Sequence, residues 1–300
     1  MKIKSISSLF LLLVFVLAFN ACKSNDDDEE VELREYADQE LTDEQLLREF
    51  LQTHTYNYED FPPADGEDIS IIIDTLADDA ANKTPLIDLV ESIEVPLTTA
   101  DEVVVNHTLY HLVARQGVRV ESKPSIVDSV YLSYSGKLLD GTQFDQSTLP
   151  IWFDTTAVVT GFRYGLQHFA PGNFVQTENG TVDFMDYGQG LIFMPSGLAY
   201  FGSAQGQIPA YAPLIFEVSV FTTNQTDHDG DGILSINEDP DGDGNPYNDD
   251  TDGDGIPNFF DADDDGDQIL TANEYDEDED GQVDDEDNDG TPDYLDNDNA

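Results

Sequence analysis

Tyr134-Ser135-Gly136-Lys137-Leu138-Leu139-Asp140-Gly141-Thr142-Gln143-Phe144-Asp145-Gln146-Ser147 is the stretch on which the reading of this chain turns. At its start Val130, Leu132 and Tyr134 alternate with Tyr131, Ser133 and Ser135, the two-residue period of a half-buried strand. Asp140-Gly141 then marks a turn. Further on, Leu214, Phe216, Val218 and Val220 alternate on another strand. Between the two, Gly161 to Phe169 reads as a short helix with Phe162, Leu166 and Phe169 on one face. Several antiparallel strands and one short helix predict an α+β domain in which the sheet wraps on the helix.

These residues carry a family resemblance. The quoted stretch resembles Y-x-G-x-L-x-D-G-x-x-F-D-x-S, a signature of FKBP-type peptidyl-prolyl cis/trans isomerases. Val159-Thr160-Gly161-Phe162 with Gly165-Leu166 resembles that family's helix entry, and Pro195 to Tyr200 its strand-to-flap segment. Ile208-Pro209 and Pro213 to Val218 are similar to its closing strand. The resemblance implies an isomerase domain over about 101–222, with a pocket lined by Tyr134, Phe144, Phe153, Val158, Val159, Phe162, Tyr200, Ile208 and Phe216. Phe162 forms its floor where many relatives have Trp, and Asp145 accepts hydrogen bonds, the Tyr134 hydroxyl among them. Tyr200 OH and the Ile208 N–H are implied to hold substrate carbonyls, under a flap at Gly197–Gly206. Taken singly, each of these aromatics reads as ordinary core. Two departures from the pattern, an insertion over Val175–Gly190 and Phe201, are expected at the rim or flap.

The chemistry suits such residues. An X–Pro amide rotates over a barrier of ~18–20 kcal/mol because resonance flattens it. The twisted transition state loses that resonance and much of the amide dipole, so an apolar aromatic cleft stabilises it better than water does. The implied substrates are proline-containing polypeptides, and catalysis calls for no cofactor, nucleophile or general base.

The flanks differ in kind. The formal net charge is −53, no Lys or Arg follows Arg163, and nearly half of the acidic residues lie beyond residue 225. That balance repels nucleic acid and anionic lipid and points to a cation or to simple solvation. In 225–300 the spacing is that of calcium loops, D-x-D-x-D-G-x5-E, whose oxygens at positions 1, 3, 5 and 12 surround one ion. Asp227, Asp229, Asp231 and Glu238 fit it, and Asp263, Asp265, Asp267 and Glu274 repeat it with Gln268 in place of Gly. Related sets are Asp250, Asp252, Asp254 with Asp261; Asp276, Asp278, Asp280 with Asp287; and Asp285, Asp287, Asp289 with Asp296. Asp241-Asp243-Asn245 with Asp252 is a weaker version. Ile233, Ile256, Ile269 and Val283 recur as lone apolar pegs without flanking helices, so the array resembles thrombospondin type 3-like repeats more than paired EF-hands. A disordered acidic tail is the alternative.

At the other end, Lys2 and Lys4 precede an apolar run at 9–19 and Phe19-Asn20-Ala21-Cys22, which resembles a bacterial lipobox. It implies a signal segment over 1–21, lipidation of Cys22, the only cysteine, and a lipid-held membrane partner. Asp26 to Glu30 then reads as part of an acidic tether over 22–40, similar to a Bacteroidetes surface-export signal. The expected location is the cell envelope, at the outer membrane or its surface. Residues 41–100 read as a small helical region that packs on the isomerase domain or extends its sheet. It contains a helix near 43–54 capped by Thr42 and Gln45, a strand at Ile69–Ile73, and a helix or strand at Leu86–Ile93. His107 and His111 read as same-face strand residues rather than a metal pair. The function expected first is an envelope folding catalyst. The alternatives are a non-catalytic binding or adhesion module on a calcium-stiffened stalk, and a calcium-dependent scaffold.

Overall fold

Six strands make one antiparallel sheet, in the order β3 (Glu91–Thr98), β4 (Val104–Arg115), β9 (Gly188–Met194), β10 (Leu214–Asn224), β5 (Ser129–Leu138) and β6 (Gln143–Asp154). This is the α+β architecture that the alternation predicts. The computed structural model describes residues 33–61, 69–77, 82–276 and 281–297. The apolar run at 9–19, Cys22, Asp26–Glu30, Pro62-Pro63, Asp278 and Asp280 lie outside the described residues. Among the described residues no helix is long and apolar enough to cross a membrane.

Helix α2 (Thr160–Leu166) lies on one face of the sheet, with Phe162 and Leu166 and the following Phe169 packed against Val130, Leu132, Ile192, Met194, Phe216 and Val218. Gly161 and Gly165 let it approach. A Cβ on Gly161 would sit 2.8 Å from Met194, and one on Gly165 2.6 Å from Ile192. The opposite face carries a second core, which the sequence did not reveal. Leu47, Phe50 and Leu51 of α1 (Tyr36–Thr53) pack there with Tyr110, Leu112, Leu191, Phe193 and Ile215. Strand β9 is therefore buried on both sides, which is why it reads Leu191-Ile192-Phe193-Met194 without alternation.

The region before residue 101 differs from its reading. α1 begins at Tyr36, within the stretch expected as tether, and Thr42 lies inside the helix with its hydroxyl donating to the Asp38 carbonyl rather than capping. Only Ile73–Thr75 is strand (β2), pairing with β1 (His54–Tyr56). Leu86–Asp88 is a 3-10 turn and β3 follows it, so the β3–β4 hairpin runs across residue 101 and extends the sheet.

His107 and His111 both lie on β4 and are buried. His107 Nδ1 lies 2.7 Å from Glu40 of α1, and the His111 ring stacks on His168 at 3.5 Å. Burial lowers both stacked imidazoles to about 4, so they are neutral packing groups.

The insertion forms a hairpin of β7 (Asn173–Gln176) and β8 (Val182–Met185). It does not sit at the flap. Phe184 packs on Tyr131 and Phe221 at 5.5 Å each, on the face away from α2, beside the exposed Trp152.

Candidate active site and acidic loop array

All ten residues implied by the resemblance line one open cavity of about 760 Å³. Tyr134 comes from β5, Phe144, Asp145 and Phe153 from β6, Phe162 from α2 and Phe216 from β10. Val158 and Val159 lead into α2, while Tyr200 and Ile208 belong to the segment between β9 and β10. Phe144 and Asp145 are consecutive, and in a regular strand they would face opposite ways. A bulge resolves this: Gly136 pairs with Asp145 and Lys137 with Gln143, leaving Phe144 as the extra residue that turns inward. Gly136 supplies the room, since a Cβ there would meet the Phe144 ring at 2.5 Å.

Phe162 is the floor, with ring centroids at 4.8 Å from Phe216, 6.1 Å from Phe153 and 6.3 Å from Tyr134. The Tyr134 hydroxyl donates to Asp145 Oδ2 at 2.6 Å, and Asp145 Oδ1 accepts from the Gln146 N–H at 2.8 Å. Burial and then that hydrogen bond raise the Tyr134 pKa well above the ordinary phenol range. The hydroxyl thus stays protonated and holds Asp145 still. No lining residue is Lys, Arg, His or Cys. The cleft can enclose an apolar ring and an amide, and has nothing arranged to attack one.

One implied role is corrected. The Ile208 N–H donates to Gln205 O at 2.8 Å and Gln205 N–H to Ile208 O at 2.9 Å, closing a tight turn, so it is not offered to a substrate carbonyl. Among the described residues the Val159 N–H, also in the cleft wall, donates to no acceptor of the protein. Thr156, Ala157 and Gln205–Gln207 complete the lining, and their side-chain types carried no signal in the sequence.

The segment above the cleft is clamped by α1. Asp43, fully buried, accepts from Ser196 N–H at 2.7 Å and Ser196 Oγ at 2.6 Å. Phe201, which departs from the family pattern, holds φ 46° and stacks on Tyr36 at 3.8 Å. Tyr211 packs edge-on to Phe201, and its hydroxyl accepts from the Arg34 N–H at 3.0 Å.

In the acidic array one loop geometry recurs. The N–H of the sixth residue donates to the first carboxylate in Gly232→Asp227, Gly244→Asp239, Gly255→Asp250, Gln268→Asp263, Gly281→Asp276 and Gly290→Asp285. The second loop therefore starts at Asp239, not Asp241. Its converging carboxylates are Asp239, Asp241 and Asp249, and Asp239, Asp241, Asp243 and Gly244 fit D-x-D-x-D-G where the start at Asp241 does not. Gln268 adopts φ 84°, the conformation of its glycine counterparts.

Asp227–Asp229–Asp231, Asp250–Asp252–Asp254, Asp263–Asp265–Asp267 and Asp285–Asp287–Asp289 each bring their oxygens within 4.8 Å of one another. Those triads do not include Glu238, Asp261, Glu274 or Asp296, and Asp276 accepts from the Gly281 N–H at 2.9 Å. Of the apolar pegs only Ile233 is buried; Ile256, Ile269 and Val283 are exposed. The array instead docks through Phe259, fully buried against Ile126, Val127, Tyr164 and Tyr247, and through Arg163 over the Tyr247 ring at 4.4 Å.

The carboxylates have the marks of a cation site. Both oxygens of Glu238, with Asp229 Oδ2 and Asp231 Oδ2, are buried without a hydrogen-bond partner, while the buried Asp264 carboxyl is engaged by Thr271. Burial, reinforced by neighbouring negative charge, pushes Glu238 up to about 9, Asp264 to about 8 and Asp229 to about 7. An all-oxygen donor set of this kind fits a hard divalent cation.

Residues 120–221 match the family model of FKBP-type peptidyl-prolyl cis-trans isomerase, and residues 228–283 match the model described as BamM C-terminal. The FKBP-type peptidyl-prolyl cis-trans isomerase FkpA of Aeromonas hydrophila is 33% identical over 113 residues, covering 37% of this chain and 37% of its own. A probable FKBP-type isomerase FkpA of Neisseria meningitidis is 31% identical over 117 residues, covering 37% and 36%. This chain thus spans little more than a third of the length of either relative. Among solved structures, a peptidyl-prolyl cis-trans isomerase of Pseudomonas syringae is 27% identical, covering 43% of this chain and 81% of its own, with a TM-score of 0.32. FkpA from Escherichia coli is 25% identical, covering 43% and 51%, also with a TM-score of 0.32.

Proposed function

We propose that this protein is a peptidyl-prolyl cis/trans isomerase that assists the folding of exported or surface proteins. The observation that supports this best is the convergence of ten signature positions on one aromatic cleft, with Asp145 fixed by the Tyr134 hydroxyl at 2.6 Å. The match of residues 120–221 to the isomerase family model agrees with it. In this reading the prolyl ring rests on Phe162 between Phe153 and Phe216. The amide carbonyl, losing resonance as it twists, is held by Tyr200 OH and by the Val159 N–H. Water is kept from the rotating bond, and the less polar transition state gains over the planar ground state.

The acidic array is proposed to bind calcium through its recurrent loops. Carboxylates at the first, third and fifth positions supply the charge, and the ion supplies the compensation that the buried oxygens otherwise lack. The chain is proposed to sit in the cell envelope, held by a lipid on Cys22.

The test is exchange of an X–Pro peptide, followed by NMR with the full chain lacking only the signal segment. Acceleration that Asp145→Ala and Tyr200→Phe reduce is the expected result. No acceleration by folded protein across several residues preceding proline would sink the enzyme reading and leave a binding module built on the same cleft.

A further inference from the structure

Between the end of β6 at Asp154 and the start of α2 at Thr160 the chain leaves the sheet, and Thr156, Ala157, Val158 and Val159 of this stretch line the cleft. A single 3-10 turn, Thr155–Ala157, is its regular structure. A wall without a strand ladder depends on the few side chains that hold its backbone.

Ahead of Val159, whose carbonyl already begins α2, three residues do so. The Asp128 carbonyl accepts from the Thr155 N–H at 2.9 Å and from Thr155 Oγ1 at 2.8 Å. Asp154 Oδ1 caps the turn, accepting from the Thr156 N–H at 2.8 Å and from Thr156 Oγ1 at 2.7 Å. Arg163 Nη2 donates to the Val158 carbonyl at 3.4 Å.

Each of the three is held from behind by the acidic array. The Thr226 N–H donates to Asp128 Oδ1 at 3.4 Å. His228 Nε2 lies 3.3 Å from Asp154 Oδ2, the oxygen that the turn does not use. The Arg163 guanidinium lies over the Tyr247 ring, 4.4 Å from its centroid. These partners are fixed in turn. His228 Nδ1 is 2.8 Å from Oγ of the fully buried Ser235, and the Tyr247 ring meets the fully buried Phe259 edge-on at 5.0 Å.

Docking by itself would need no more than the apolar contact of Phe259 with Ile126 and Val127. The polar links differ in kind, because all of them end on groups that shape one wall of the cleft. Directional contacts of that sort lock the rotamers of the residues that set a site's geometry.

We propose that the acidic array is a working part of the cleft, with His228 and Tyr247 as positioning residues that hold the wall at 155–159 through Asp154 and Arg163. Its effect on rate rests on the isomerase reading; its effect on the wall does not. In that reading the Val159 N–H meets the substrate carbonyl as the amide twists. A displaced wall therefore costs transition-state stabilisation and leaves the seat of the prolyl ring on Phe162 in place, a loss read in kcat rather than KM.

The test uses the chain lacking only its signal segment, at one fixed calcium concentration. Tyr247→Leu keeps an apolar group against Phe259 but offers Arg163 no ring face. By NMR the amides of 155–159 should shift and exchange about tenfold faster, as loss of a cation–π contact allows, while those of β5 stay in place. With an X–Pro peptide kcat should fall about tenfold and KM stay within about twofold, part of the ~10²-fold that a full 1 Å misplacement costs. Tyr247→Phe keeps the ring face and should restore both. His228→Leu cuts the second link and should move the same amides, and His228→Gln, whose amide can still donate to Asp154, should bring them part of the way back. Unchanged 155–159 amides in the folded Leu variants, a lowered melting temperature with kcat untouched, or a Tyr247→Phe protein that behaves like Tyr247→Leu would each overturn the proposal. If the parent protein does not speed the exchange at all, the isomerase reading fails by itself, and the 155–159 amides still decide whether the array holds the wall.

Discussion

Gly136→Ala is the substitution that asks most of the cleft. The added Cβ would lie 2.5 and 2.6 Å from Cε2 and Cζ of Phe144 and 3.0 Å from Cε1 of Phe216. Ordinary carbon–carbon contact is ~3.5–4.0 Å, so the Phe144 ring must retreat by about 1 Å. Gly136 does not have a positive φ, and the change therefore carries no backbone penalty of its own. Phe216 is packed against Phe162 and cannot yield, whereas Phe144 lies at the mouth and can yield only across the opening. Overpacking of this size costs about 1–3 kcal/mol of stability. A cleft wall displaced by about 1 Å should cost on the order of 10²-fold in kcat/KM. Urea denaturation and NMR exchange of an X–Pro peptide measure the two. The double variant Gly136→Ala/Phe144→Leu, with a shorter side chain opposite the new methyl, should recover part of both losses, a coupling of the kind expected only between residues in contact. Lost stability with unchanged kinetics, or strict additivity in the double variant, would refute the idea that Gly136 exists to seat Phe144.

Tyr36→Ala removes the ring stacked on Phe201 and should loosen the segment over the cleft. The expected signature is a raised KM with faster exchange of amides 197–206, and less than about 2 kcal/mol of global stability lost. Phe259→Ala should cost about 3–5 kcal/mol at the junction, seen as a separate, earlier unfolding step of residues 225–297. The buried carboxylates predict a pH dependence. Because Glu238 and Asp264 are raised to about 9 and 8 in the folded chain, the native state keeps protons that the unfolded state releases. In chelator, stability should be fully present below the ordinary carboxylate range and be lost as pH rises through 8 and 9. Saturating calcium should flatten that slope, and a melting temperature that climbs with pH in chelator would contradict it.

How much of this was legible depended on which forces wrote it. β5, β10 and α2 carry their burial as alternation or helical spacing, and Tyr134, Phe162 and Phe216 ride on those elements; that these and the seven other positions form a cleft was implied by the family resemblance, not by periodicity. The start of α1 could not be read from either. Gln39, Glu40 and Asp43 are polar yet buried, because their partners are Gln39 to Asp43 locally and His107, Thr108 and Ser196 at long range. Hydrophobic periodicity cannot register a face that is buried through hydrogen bonds. The insertion was misplaced for a related reason. Phe174 and Phe184 show that the hairpin packs on something apolar, but not which face of the sheet supplies it. The second acidic loop was misregistered although only a start at Asp239 puts a glycine, Gly244, at the sixth position; a start at Asp241 puts Pro246 there, and the Gly244→Asp239 bond exposes the slip. Phe201, an oddity in the sequence, turns out to have a partner in Tyr36, which lies in a region that the reading gave to tether.

The strand order has a consequence for anyone who trims the chain. The family match begins at residue 120, yet β9 leans on β4, which ends before it. A fragment cut at that boundary would lose β3, β4 and α1 together. It would present Gly188–Met194 with its hydrogen-bonding groups bare along one side and Leu191 and Phe193 stripped of cover. That is an adhesive seam rather than a domain boundary. Such a fragment would be drawn toward strand-to-strand self-association, and poor behaviour in solution would then report on the cut, not on the cleft.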